Sequence, residues 1–570
     1  MLGLVLAGLV AYANTVDGEW VWDDASSILL HKHVQDPGKL LQLFQEDQHA
    51  FGRGAGNFYR PLLSATFLAD YALSHRSGLD EMHPGGYPDV SPFLFHVSNM
   101  AWHIAAALLL LALLTRLGAP RFVRAAATLV WLVHPLHTEA VAYISGRADM
   151  MSAAFMFAGL CCALWKGASA RRIAGVSLSI LCFTGALLSK ESALIFPVLL
   201  ALVLFFDWRV DGDREARQGA ARHFAPLAPA MALVVVYGVL RTSILKFAEA
   251  GASQTAPLAQ RLVEVGQAFA FYMRVLFVPA GLHMEQSLAG TPAWTALAGY
   301  ACLACILALV ALAWRTRRYR IVLGLAWFLA AWLPISGLFP LNAPMAEHWM
   351  YLPMAGFWWA VAELVWEAVN RPVPRLAATK RMLTRPMAVL LVFFAAVSFL
   401  GLTVQRNQDW HSNETLFRAT LAQNPNTLRV HYNLAVAYDD LLENNAGARR
   451  HYEAVLGFYQ QQKRATSVDG DTTYVLPEEI DVRLSLGKLC LAQEEYAEAA
   501  GHFGRVAAGV SSQEHTAEVA AAAMGLGRAM LALGKPNDAM QALQQAMTLN
   551  AGLQPEVEAL LTGAPIIPRM

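Results

Sequence analysis

Charged side chains are scarce in this chain of 570 residues: Asp, Glu, Lys and Arg make up 15% of it, and hydrophobic residues 56%. Soluble domains carry about 25% charged residues, so the composition excludes both a disordered chain and an ordinary soluble enzyme. An excess of one sign is missing as well, since 43 basic residues balance 43 acidic ones. The balance is uneven along the chain, because residues 405–570 hold 19 acids and 13 bases. An acidic tail without a basic stripe excludes nucleic acid as a partner. Cysteine is also sparse. Cys161, Cys162, Cys182, Cys302 and Cys305 lie in apolar runs and Cys490 alone in the polar tail, which implies no disulfide framework. Cys302 and Cys305 have C-x-x-C spacing but no second ligand pair, and read as packing residues.

What the chain does have is long apolar runs, nearly all before residue 404, many of which suffice to cross about 30 Å of hydrocarbon. Runs and intervening Lys and Arg predict eleven membrane helices, at 1–16, 97–115, 125–143, 151–166, 173–189, 191–208, 225–245, 293–314, 321–336, 349–367 and 387–404. Basic clusters at Arg116/Arg121/Arg124, Lys166/Arg171/Arg172, Arg209/Arg214/Arg217/Arg222, Arg315/Arg317/Arg318/Arg320 and Arg371/Arg375/Lys380/Arg381/Arg385 fall in alternate loops. These loops are expected on the cytoplasmic side. Residues 258–281 then read as an interfacial or re-entrant helix, because a crossing there would reverse the alternation. Eleven spans place the long loop 17–96 and the tail on one non-cytoplasmic face. Ala11-Tyr12-Ala13 resembles a signal-peptide cleavage site, but no basic residue precedes the run, and the first helix is expected to remain as an anchor.

Beyond a short linker at 405–411, the pattern becomes amphipathic helices with internal self-similarity over 412–562. Leu486-Gly487, Tyr496, Ala499 and Phe503 match Leu526-Gly527, Pro536, Ala539 and Leu543 at equal spacing. Leu434-Ala435, Tyr438, Ala448 and Tyr452 fit the same pattern with one insertion. About three units resemble the tetratricopeptide repeat, either as a spacer or as a groove for an extended peptide. The stretch 463–478 reads as a loop between units.

Ionisable residues beside membrane helices are costly and are functional candidates by default. On the expected outer face the chain collects Asp23 and Asp24, Arg60, His96, Asn99 and His103, then His134, His137, Glu139, Arg147 and Asp149, then Lys190 and Glu191, and finally Glu347, His348 and Tyr351. His96, Asn99 and His103 share one helix face and could equally be interhelical hydrogen-bonding residues. His134 and His137 flank Pro135 without an HExxH motif, which favours an orienting role over metal ligation. Arg147 with Asp149, and Lys190 with Glu191, could simply pair as ions. Asp23 and Asp24, adjacent acids just beyond a membrane helix, have no evident packing use.

VWDDASSIL, YRPL, FHVSNMAWH, HPLHTEAVAYISGRADM, LSKESA, EHWMYLPMAGF and RNQDWHSNETLF, in that order, resemble the transmembrane and tetratricopeptide repeat O-mannosyltransferases of the C-type glycosyltransferase superfamily. The resemblance implies an all-α fold: a membrane helix bundle over 1–404, with a first outer loop at 17–96, followed by a helical repeat solenoid. It implies transfer of a sugar, mannose or another hexose, from a polyprenyl-phosphate-linked donor to a hydroxyl of a protein or glycan acceptor, with inversion. It also implies a bacterial inner membrane with the repeats in the periplasm. Asp23-Asp24 match the family's catalytic acidic pair by position. His348 stands where relatives are expected to have Arg, which weakens a phosphate-binding role there.

Such a reaction needs a base for the acceptor proton and cations for the departing phosphate. Asp23 is the expected base and Asp24 an orienting or metal-binding carboxylate, with the reverse order open. Arg60, Arg147 and Lys190 are expected at the donor phosphate. A divalent cation, Mg or Mn, stays open, because two adjacent acids hold one only with further ligands. The competing readings are a flippase or transporter of lipid-linked substrates and a non-catalytic repeat scaffold for envelope assembly. A transporter would be expected to show symmetry between two halves, which the chain lacks.

Overall fold

The computed structural model describes residues 1–51, 58–74, 90–210, 220–244, 257–288, 290–339, 341, 343–370, 378–440, 444–466, 475–510 and 515–562. Among them every regular element is helical and no strand occurs. They form two compact units, 1–419 and 420–570.

The first unit contains α1 (Leu2–Tyr12), α2 (Pro61–Ser74), α3 (Phe93–Arg116), α4 (Arg121–Leu132), the short α5 (Thr138–Val141), α6 (Arg147–Ala163), α7 (Ser169–Leu187), α8 (Phe196–Val210), α9 (Leu227–Ile244), α10 (Leu258–Phe277), α11 (Trp294–Arg315), α12 (Tyr319–Trp332), α13 (Pro353–Asn370) and α14 (Ala378–Asn407). Six stretches are long and apolar enough to span a membrane: Phe93–Arg116, Ser169–Leu187, Glu191–Val210, Arg222–Ile244, Trp294–Arg315 and Arg385–Trp410. They make this an integral membrane protein, because a helix bonds its own N–H and C=O groups where no water can.

Of the eleven expected spans, six correspond to helices that meet this length and apolarity among the described residues. The runs at 1–16 and 321–336 correspond to shorter apolar helices, Leu2–Thr15 and Tyr319–Ile335. The run at 125–143 is interrupted, since α4 ends at Leu132 and the backbone turns at His134-Pro135. At 151–166, α6 is only 17 residues long and begins with Arg147 and Asp149. At 349–367, α13 carries Glu363 and Glu367, and its whole first half, Pro353–Ala360, is buried. Hydropathy counts residues that pack on protein as though they faced lipid. The run 258–281 is a helix, α10, with Arg261, Glu264 and Arg274 along it.

The core gathers α3, α4, α6, α12 and α13 around Trp131, Phe157, Trp327 and Trp359. Residues 405–411 do not form an extended linker: α14 continues to Asn407, a 3-10 turn covers Gln408–Trp410, and Arg406, Asn407 and Trp410 are buried.

From α15 (Asn413–Gln423), which reaches into it, the second unit runs through α16 (Leu428–Asp440), α17 (Asn445–Thr466), α18 (Glu479–Ala492), α19 (Tyr496–Gly509), α20 (Thr516–Ala532), α21 (Pro536–Leu549) and α22 (Gln554–Thr562). From α16 onward, consecutive helices pack on one another. A Cβ on Gly487 would lie 2.6 Å from the Phe503 ring, and one on Gly527 2.6 Å from Leu543. These are equivalent positions in the two matched stretches, so the sequence repeat is also a packing repeat. Of the loop expected over 463–478, residues 463–466 instead continue α17, and 467–474 lie outside the described residues.

Candidate functional site

The site is built on the first loop, and Asp24 is its most enclosed acid. Asp24 is fully buried. Its Oδ1 accepts from Ser145 N at 2.9 Å and Ser145 Oγ at 2.7 Å, and its Oδ2 from Val21 N at 3.1 Å. Burial pushes the carboxyl up to about 7, while these three donors pull the other way. Asp23 is half-buried; its main-chain carbonyl accepts from Ser27 N and Ser26 Oγ.

Two distant segments hold this loop. Trp22 N donates to Asn413 Oδ1 at 2.9 Å, and Glu19 N to the His411 carbonyl at 2.7 Å. Trp22 takes a left-handed backbone, φ 51°, and its ring stacks on Tyr143 at 5.6 Å. That conformation costs a bulky residue on the order of 1–3 kcal/mol, which the surrounding contacts must offset. On its other side Tyr143 meets Trp410 at 5.5 Å.

The second segment is HPLHTEAVAYISGRAD, residues 134–149. His134 opens its turn, accepting from Leu136 N at Nδ1 and donating from Nε2 to the Leu276 carbonyl at 3.0 Å. Glu139 pairs with His348 Nδ1 at 3.0 Å and accepts from His348 N at 2.9 Å. Ser145 holds Asp24, and Asp149 pairs with Lys190 Nζ at 2.6 Å. Gly146 must be glycine: a Cβ there would sit 2.7 Å from the Glu139 carbonyl oxygen and 2.8 Å from that of Ala140. Gly146→Ala should therefore displace Ser145 and cost about 1–3 kcal/mol by overpacking; a thermal melt unchanged from the parent would refute that crowding.

Asn99 and Arg147 hold the segment from beneath. Asn99 Nδ2 donates to the carbonyls of Val141 and Tyr143 at 3.1 and 3.0 Å. Its Oδ1 accepts from Arg147 Nε at 2.6 Å. The remaining Arg147 nitrogens reach Asp70 Oδ2 (2.7 Å), Thr66 Oγ1 (3.1 Å) and the Phe95 carbonyl (3.0 Å). Arg147 has no exposed surface. It is not presented to a ligand, contrary to the expected phosphate contact, because its donors are spent inside the protein.

The histidines divide likewise. His103 accepts from Tyr351 OH at Nδ1 (2.7 Å) and donates from Nε2 to the Leu132 carbonyl (2.9 Å). His137 is enclosed by Trp131, His103 and Tyr351, and His96 lies against Gly18. All three are buried. His103 and Tyr351 join α3 to the turn that precedes α13, and His137 packs against both of them.

The other two cations remain near the loop. Arg60 forms a two-pronged pair with Glu191, at 2.9 and 3.2 Å, and its Nη1 reaches Gln48 Oε1 at 3.4 Å. Gln48 donates in turn to Ser27 Oγ at 3.3 Å, and His49 Nδ1 contacts Ser26 Oγ at 3.1 Å. A chain of side chains thus runs from the loop of the acidic pair to Arg60 and Glu191. Burial lowers His49 to about 4, Arg60 adding to the effect, so its ring is neutral at pH 7. On the far side, Glu347 pairs with Arg406 at 3.1 Å, and Arg406 with Asp409 at 2.7 Å.

Sequence reasoning missed Ser145, His49, Gln48, Arg406 and Asn413. Asn413 and Arg406 lie in the quoted stretch RNQDWHSNETLF, and Ser145 in HPLHTEAVAYISGRAD, so their motifs were the available signal. His49 and Gln48 carried none. Asp24 Oδ1 accepts two hydrogen bonds and Oδ2 one, so this carboxylate would offer a Mg or Mn ion only the second lone pair of Oδ2. Among the described residues, three ligating side chains converge only at Cys490, Glu498 and His502, in the second unit.

A helical membrane unit with a pinned acidic loop and buried ion pairs, joined to a unit of repeated helix packing, is the class these features define. The chain is 27% identical over 485 residues to protein O-mannosyl-transferase TMTC4 of Mus musculus, covering 75% of this chain and 62% of that one. It is 23% identical over 458 residues to protein O-mannosyl-transferase F38B6.6 of Caenorhabditis elegans (77% and 60%), and 24% identical over 527 residues to protein O-mannosyl-transferase TMTC3 of Homo sapiens (86% and 52%). The chain is thus a homologue of the protein O-mannosyl-transferases and spans about 50–60% of the length of these relatives. No family model and no solved structure matches it.

Proposed function

We propose that this protein transfers mannose or a related hexose from a polyprenyl-phosphate-linked donor to a hydroxyl of a protein acceptor, at the non-cytoplasmic surface of its membrane. The observation that carries the reading is the acidic loop. A half-buried Asp23 stands beside a sealed Asp24, and strained backbone at Trp22 is held by partners from residues 143–145 and 411–413. Strain maintained in this way is characteristic of functional loops. The names of the relatives supply the reaction class.

In this reading Asp23 is the base that takes the acceptor hydroxyl proton as that oxygen attacks the anomeric carbon. Asp24, committed to Ser145 and Val21, positions it. Lys190 and Arg60 serve the departing phosphate. Lys190 spends one of its three N–H donors on Asp149, and the Arg60 contact to Gln48 is long enough to be exchanged for a phosphate oxygen. Arg147 acts only by holding the segment that carries Ser145. The repeats are assigned to acceptor binding. The membrane in this reading is a bacterial inner membrane, with the repeat unit in the periplasm.

Purified full-length chain, given radiolabelled polyprenyl-phosphate-mannose and envelope proteins, should form O-linked mannosyl Ser or Thr. Transfer from a nucleotide sugar but not from the lipid-linked donor would overturn the donor assignment. A reporter active only outside the cytoplasm should work when fused after residue 410 and fail at 212 or 318. The opposite pattern would place the site on the wrong face for this reaction.

A further inference from the structure

In the second unit, Cys490 on α18 and Glu498 and His502 on α19 bring one ligand atom each within 4.8 Å of one another. Glu498 and His502 stand four residues apart on one helix and so share a face. The Cys490 side chain faces them from the neighbouring helix. Three ligand types with different chemistry meet here, in contrast to a simple cluster of surface acids.

The donors are also disposed for an ion. Glu498 uses Oε2 to accept from Arg449 Nη2 at 2.7 Å, while Oε1 turns toward His502 Nε2 at 3.9 Å, too far for a hydrogen bond. His502 Nδ1 is buried and has no hydrogen-bond partner. Such orphaned nitrogens are uncommon in folded proteins. Arg449 meets Glu453 and Glu495 besides Glu498, so three carboxylates face one guanidinium and leave the patch negative. An arginine that grips the rear oxygen of a ligating carboxylate orients it from behind, as partners outside the coordination shell commonly do.

We propose that Cys490, Glu498 and His502 form a site for a borderline divalent transition metal, Zn(II) in particular, with a water as fourth ligand. Thiolate and imidazole select Zn(II) over Mg(II) or Ca(II), and three protein ligands with one open position is a common zinc arrangement. The ion enters from the side of Glu498, which is 45% exposed. As it binds, the Cys490 thiol gives its proton to solvent and the sulfur–metal bond forms, with no change of oxidation state. The ion ties α18 to α19, and through Glu498 and Arg449 it also ties in α17. The site is independent of the transfer reaction proposed above.

Co(II) is the probe, because a thiolate bound to it produces a near-ultraviolet charge-transfer band that carboxylate and imidazole alone do not. Full-length protein freed of metal by chelation should develop this band with one equivalent of Co(II), lose it when Zn(II) is added, and melt at a higher temperature with Zn(II) present. Cys490→Ser should abolish the band although the other five cysteines remain. Glu498→Gln, at an exposed position, should weaken Co(II) binding at least about tenfold. Absence of the band, or its persistence in Cys490→Ser, overturns the site. Should Cys490→Ser lose its helix content, Glu498→Gln decides: unchanged affinity overturns the proposal, and a tenfold loss supports it.

Discussion

Asp23→Asn is expected to reduce sugar transfer by about 10²- to 10⁴-fold, the usual worth of a general base, while leaving donor binding and folding intact. Asn has nearly the same shape as Asp but cannot take a proton. The Asp23 main-chain carbonyl accepts from Ser26 Oγ and Ser27 N, and the substitution keeps both of those bonds. Asp24→Asn should behave differently. Its side chain accepts from three donors, and an amide would turn an N–H₂ group toward at least one of them. A mismatched buried donor costs about 1–3 kcal/mol, so melting temperature and transfer should fall together. The test is a paired measurement of transfer rate and thermal melting on both purified variants. A well-folded Asp23→Asn protein with the parental rate would remove Asp23 from the chemistry.

Removing Arg147 should have a larger effect on stability than any other single change considered for this site. Arg147→Met takes the partner from Asp70, Asn99 Oδ1 and the Phe95 carbonyl together. Breaking one side of a buried ion pair typically costs about 3–5 kcal/mol, a large part of the 5–15 kcal/mol that keeps a protein folded. The expected result is little folded protein in the membrane. Lys190→Ala should instead leave a folded protein with a raised KM for the lipid-linked donor, since Lys190 and its partner Asp149 are both slightly exposed, at 11%. Should Arg147→Met accumulate normally and show only a raised KM, the phosphate role expected from sequence would return to it.

The contrast between these cations marks what the sequence could reveal. Asp23 and Asp24 stood out in the sequence because adjacent acids are expensive beside a membrane helix, whereas the three hydrogen bonds that engage Asp24 come from Ser145 and Val21 and leave no local mark. The role of Arg147 was not legible, because its partners come from α2 and α3, at positions 66, 70, 95 and 99, where nothing local announces a pairing. His103 and Tyr351 illustrate the same difficulty: two polar side chains that satisfy each other at 2.7 Å, from a helix and from a turn 248 residues away, look in sequence like members of a site. The helical class was readable throughout, whereas the span count was not, because an apolar run reports that a segment avoids water and not whether protein or lipid surrounds it. The run at 349–367 fell to this ambiguity, with Glu363 near its end and its first half enclosed.

The clamp between the first loop and residues 411–413 also sets an order of events during synthesis. Trp22 and Asn413 are 391 residues apart, so at about 5–20 residues per second the loop waits roughly 20 to 80 s for its partner to be made. Throughout that interval Trp22 lacks the bond from its backbone N–H, and Tyr143 lacks Trp410. The site therefore closes only after the last helix of the first unit has been made. A nascent chain halted between α13 and α14 should be integrated with its first loop unclamped and, on the proposed function, should transfer no sugar.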